Sequence, residues 1–201
     1  MKNKLNLPEL ESKKVFAYFE ELAAIPHGSR NTRQISDYLI SFAKEHGFDY
    51  VQDEMNNVII YKPATLGYEN APTVILQGHM DMVCEKRPDV QHDFEKDGLN
   101  LSVKDGYVTA NGTTLGGDDG IAVAYALALL DSTDLPHPAL EVLITVDEEI
   151  GLLGAVGLDC SVLKGKRMIN MDSEAEGSLW ISCAGGLSAV SHIPVARVDA
   201  E

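Results

Sequence analysis

The sequence predicts an α/β layer fold with a mostly parallel central sheet, and two observations carry that prediction. Short β-rich runs, "VIIYK" at 58–62, "TVILQG" at 73–78, "LEVLITV" at 140–146 and "RMINM" at 167–171, alternate with stretches of helical periodicity. One of those stretches, "GIAVAYALALLDS" at 120–132, is apolar nearly all round, which puts a helix in the interior rather than on the surface.

Each element has its own signal. At 11–24, Val15, Phe16, Phe19, Leu22 and Ala23 recur at helical spacing until "IPHGSRNT" breaks the pattern with Pro and Gly. At 31–46 the pattern returns with Ile35, Tyr38, Leu39 and Phe42, and Gly47 suits the cap that ends a helix. The turn-rich stretch 93–117 reads as a hairpin and an approach loop. Near the end, "LSAVSHIPVARV" at 187–198 alternates like a fresh strand, the first element of a further unit.

Composition narrows the function classes. The 201 residues are 45% hydrophobic and 6% aromatic, as expected of a globular domain. Against 16 basic residues stand 31 acidic ones, a net charge of −15, which argues against nucleic acid or an anionic membrane surface as partner. The opening "MKNKLNLPEL" has no apolar h-region, and the apolar run at 121–130 is about half a membrane span, so a cytoplasmic protein is expected. Cys84, Cys160 and Cys183 are odd in number and never form CxxC, which points to reduced, mostly buried thiols rather than disulfides or a thiolate metal site.

The acidic residues fall in a pattern. "TVILQG" runs into His79 and Asp81, and the loop before the interior helix carries Asp118 and Asp119. "LEVLITV" runs into Asp147, Glu148 and Glu149, and "RMINM" into Asp172. In parallel sheets, ligands bind off the carboxyl ends of the strands, where all four groups belong. Taken singly, Asp118, Asp119 and Asp172 also suit helix N-caps. Taken together, converging carboxylates repel one another and call for a cation. One His with Asp and Glu oxygens suits zinc, with manganese or cobalt as substitutes, and the surplus of carboxylates suggests two ions sharing one of them.

"GHMDMV", "GGDDG", "TVDEEIG" and "MDSE", in this order, resemble the dinuclear zinc metallopeptidase family that includes carboxypeptidase G, succinyl-diaminopimelate desuccinylase, aminoacylase and the carnosinase-like dipeptidases. The likeness is greatest to its bacterial Xaa-His dipeptidase branch and extends over essentially the whole chain. It implies a three-layer catalytic domain at 1–185, with 186–201 opening an inserted lid and dimerisation domain. It also implies hydrolysis of dipeptides of Xaa-His type with broad specificity, a small peptide as substrate, and a homodimer in full-length relatives.

Residue by residue, the resemblance makes His79, Asp118 and Asp172 ligands of one zinc, with Asp118 bridging to a second zinc that also takes Glu149. Glu148 becomes the general base, Asp81 orients and polarises the imidazole of His79, and the Asp118–Asp119 peptide is expected to be cis. Such relatives complete the second site with a late histidine. His27, His46, His92, His137 and His192 match no such motif, so the second site is expected to hold only Asp118 and Glu149 and the isolated chain to be weakly active or inactive. A non-catalytic metal-binding remnant, half of a split enzyme, and an N-acyl amino acid amidohydrolase remain as alternatives. Ser188 of "GGLS" is read as structural.

Overall fold

The computed structural model describes residues 12–173, 175, 177–187 and 189–196. Two helices open it, α1 (Lys13–Ala23) and α2 (Arg33–Glu45), followed by strands β1 (Asp49–Gln52), β2 (Val58–Lys62) and β3 (Val74–His79). A hairpin of β4 (Leu101–Lys104) and β5 (Tyr107–Ala110) leads to α3 (Gly117–Leu130). Then come β6 (Leu140–Thr145), the short helix α4 (Leu153–Gly157), a 3-10 turn at Cys160–Val162 and β7 (Arg167–Asn170).

Helix ends follow from local chemistry. Past α2, Gly47 takes a left-handed backbone (φ 70°), and the N–H groups of Gly47 and Phe48 reach back to the carbonyls of Lys44 and Ala43. This is the Schellman arrangement, which satisfies carbonyls a helix end otherwise strands. The last turn of α3 is closed differently: Lys62 Nζ donates to the carbonyls of Leu129 (2.9 Å), Leu130 (2.9 Å) and Ser132 (2.6 Å), placing a cation at the negative end of the helix. Between β4 and β5, Asp105 and Gly106 both have positive φ, the two-residue turn whose twist matches paired strands.

The main sheet has the order β1-β2-β6-β3-β7. β3 pairs in parallel with β6 and with β7, while β2 runs antiparallel to both β1 and β6. Four of the five strands therefore point the same way and β2 alone is reversed, so the sheet is mostly parallel, as expected. Alternation along β2 sorts its side chains. Val58 and Ile60 join the large core with Phe19, Leu22, Leu39, Val123 and Leu127 from the helices. Ile59 turns to the other face, where it packs with Ile75 and Leu143 beneath Leu158, Val162 and Leu163. That second layer is anchored by Glu141, a buried carboxylate on β6 that accepts the N–H groups of Lys164 (2.9 Å) and Gly165 (3.0 Å).

Two expectations are corrected. The described residues of 187–198 form no strand: Leu187, Val190, Ile193 and Val195 are exposed and no neighbouring strand supplies ladder partners to them. Cys84, Cys160 and Cys183 are exposed rather than buried, because none of them lies on a core face of the sheet or its helices. Ser188 and residues 197–201 lie outside the described residues.

Candidate metal centre

The four groups read from the sequence do converge at the carboxyl ends of β3, β6 and β7 and the start of α3. His79 ends β3 with its side chain 1% exposed. Its Nδ1 donates to the backbone carbonyl of Asp81 at 2.9 Å and stands 3.4 Å from Asp81 Oδ1, so the carbonyl takes the hydrogen bond and the carboxylate adds charge. That pairing leaves Nε2 facing the other acidic groups. Asp118 Oδ1 lies 3.1 Å from it, Asp172 Oδ1 3.8 Å and Glu148 Oε2 4.0 Å.

Among the described residues, His79, Asp118 and Asp172 form the one group whose donor atoms all lie within 4.8 Å of one another. Glu149 stands outside it, and Asp118 is the charged group that most influences it. Asp118 and Asp119 are joined by a cis peptide and depart from helical geometry at the start of α3. Asp119 is buried and its Oδ2 accepts the backbone N–H of His79 at 3.1 Å. Asp81, buried as well, holds its carboxylate between two donors and the His79 ring. Ser29 Oγ reaches Oδ2 at 2.8 Å, the Glu148 N–H reaches Oδ1 at 3.0 Å, and the His79 imidazole lies alongside.

The electrostatics describe a cluster short of positive charge. Burial pushes Asp119 up to about 7, helped by the negative charge of Asp172. Burial also raises Asp172 to about 6, with Asp118 adding to the effect and His79 opposing it. Glu149 is raised by burial and by Asp118. Burial alone would lower His79, but Asp81, Asp119 and Asp172 outweigh it and hold the imidazolium up to about 10. Asp81 is the exception: burial would raise it, yet the adjacent His79 imidazole and the bonds from the Glu148 amide and Ser29 keep it below the usual carboxylate range. Carboxylates raised together around one imidazole are relieved by a divalent cation, and the donor set of one nitrogen and two oxygens fits zinc. On both the distances and the donor chemistry, the residues present suit such an ion.

Residues 75–177, about half of the sequence and the span that holds every group named above except Ser29, match the model of peptidase family M20/M25/M40. The chain belongs to that family.

Among relatives, it is 42% identical over 191 residues to the cytosol non-specific dipeptidase of Escherichia coli, an alignment covering 95% of this chain and 39% of that protein. The crystal structure of an aminoacylhistidine dipeptidase from Vibrio alginolyticus superposes with a TM-score of 0.83 at 42% identity, over 87% of this chain and 35% of that one. A tripeptidase from Staphylococcus aureus follows at 0.69 and 27% identity, over 83% of this chain and 44% of that one. The chain thus spans less than half the length of these relatives, which are peptidases by name.

Sequence reasoning missed Ser29, whose hydroxyl grips Asp81, and Arg30, whose backbone N–H donates to Asp147 Oδ1 at 2.6 Å. Its one signal was the "HGSRN" turn, legible as a helix breaker but silent on its partner. Asp147 was seen among the acidic groups without a role.

Proposed function

We propose that this chain carries the metal-holding part of an M20 centre that hydrolyses dipeptides. The single observation behind the reading is the convergence of His79 Nε2 with carboxylate oxygens of Asp118 and Asp172 within 4.8 Å. These three residues would hold one divalent ion, zinc by their chemistry and replaceable by manganese or cobalt, and Asp118 with Glu149 would serve a second. Bound there, the metal supplies charge neutralisation and polarises the scissile carbonyl.

The chain's own residues do the rest. Asp81, through its carbonyl and its carboxylate, keeps the His79 Nδ1 protonated and so keeps Nε2 available as a donor. Glu148, 4.0 Å from that Nε2, takes a proton from the attacking water on its carboxylate and returns it to the leaving amine. The substrate is a dipeptide, of Xaa-His type with broad tolerance. Support comes from the names of the two relatives at 42% identity, dipeptidases both. The same reading gives a cytoplasmic setting, after the E. coli relative's name, with residues 1–185 in a catalytic domain and 186–201 opening a second one, and full-length members as homodimers. No helix among the described residues is long and apolar enough to cross a membrane.

The division of labour within "DEE" is the test. By zinc titration, Glu148→Gln should bind metal as the parent does while losing any dipeptide turnover, and Glu149→Gln should weaken metal binding by about 10-fold or more. Equal loss of zinc in both variants would overturn the assignment, and N-acyl amino acids cleaved in place of dipeptides would redirect the substrate class.

A further inference from the structure

Asp147 is the residue of "DEE" that the proposed hydrolysis leaves without a part. Its backbone is left-handed (φ 53°), a conformation that Asp, Asn and Gly accept more readily than other residues. Its Oδ1 accepts the Arg30 N–H at 2.6 Å, across 117 residues of sequence. The adjacent Ser29 donates from Oγ to Asp81 Oδ2 at 2.8 Å, and Asp81 Oδ1 accepts the N–H of Glu148 at 3.0 Å. The same turn is tied to the end of β3 by two backbone bonds, Met82 N–H to the His27 carbonyl (3.2 Å) and Ser29 N–H to the Met82 carbonyl (3.3 Å).

The loop carrying Glu148 is therefore gripped at two adjacent residues. Asp147 fastens it to the turn after α1, the Glu148 amide fastens it to Asp81, and Ser29 braces Asp81 from that same turn. None of these bonds involves the Asp118 or Asp172 carboxylate.

We propose that Asp147 and Ser29 are positioning residues that clamp the Glu148 loop against the turn after α1 and so set the Glu148 carboxylate beside His79. The inference rests on the metal-centre reading above. Its consequence is separable from metal holding: releasing Asp147 frees the base while leaving His79, Asp118 and Asp172 in place.

The test uses the whole chain with zinc alone as probe, and reads the side-chain carboxyl ¹³C resonance of Glu148, assigned by its loss in Glu148→Gln. One equivalent of zinc should move that resonance in the parent. Asp147→Gly keeps the left-handed turn but removes the acceptor. It should hold zinc within about threefold of the parent, the larger penalties being those of groups bonded to a ligand, yet lose at least about half of the Glu148 response. Asp147→Asn, which retains an oxygen acceptor, should restore the response, and Ser29→Ala should reduce it partially. Thermal midpoints confirm that each variant is folded. An unchanged Glu148 response in Asp147→Gly overturns the clamp while the metal centre stands. Loss of zinc together with the response also overturns it, by making Asp147 part of the metal-holding frame. A parent chain that takes up no zinc defeats the metal-centre reading and the clamp with it.

Discussion

The two sides of the candidate centre are built on opposite principles. His79 sits at the end of β3, a strand paired on both sides, with its ring 1% exposed, its amide held by the buried Asp119 and its Nδ1 held by Asp81. Asp172 follows β7, whose four residues are all exposed and which, among the described residues, is an edge strand paired with β3 alone. The nitrogen donor is thus fixed by the core, whereas one oxygen donor arrives on the least supported strand of the sheet. A rigid donor sets where an ion sits, and an adjustable one closes on it.

Three measurements can break or sharpen that contrast. The largest effect is expected from metal itself. At a hundredfold excess over its dissociation constant, zinc should add about 2.7 kcal/mol of stability, with the new hydrogen-exchange protection concentrated at 170–172 and little at 76–79. Uniform protection would erase the distinction between the two sides. Next comes Gly78→Ala. A methyl group there would stand 2.6 Å from Asp119 Oδ2 and 3.1 Å from Ala122 Cβ, so overpacking should cost about 2 kcal/mol in denaturant unfolding. A cost near zero would mean that the β3 side is softer than its burial implies. The smallest effect belongs to the edge. Ile169→Ala on β7, 54% exposed, should change stability by less than about 0.5 kcal/mol. A larger loss would show that β7 is better supported than its exposure suggests.

The same contrast runs through what the sequence made legible. β2 occupies the very residues read as "VIIYK", and β3, β6 and α3 were evident because buried elements must be apolar. β1 escaped notice: "DYVQ" is four residues long and partly to fully exposed, so burial never forced its composition. α4 is only one residue longer, and Gly154 near its start tells of close packing only once the chain is folded, since a Cβ there would lie 2.4 Å from Asn57 Oδ1. The reversal of β2 has no sequence signal either, because apolar alternation is the same in both directions. At the centre, His79, Asp118 and Asp172 were legible from their chemistry at strand and loop ends. Ser29 was not, since a serine after glycine in a turn looks the same whether or not a carboxylate 52 residues away needs its hydroxyl.

The contact between Gly78 and Asp119 ties the nitrogen side of the centre to the start of α3. The Asp119 carboxylate reaches the His79 amide only because Gly78 has no side chain, and Asp119 takes its place through the bend that also delivers Asp118. The Gly78–His79 and Asp118–Asp119 dipeptides therefore act as one packed unit split between a strand and a helix start, in which bulk added at Gly78 displaces the carboxylate that holds the His79 amide.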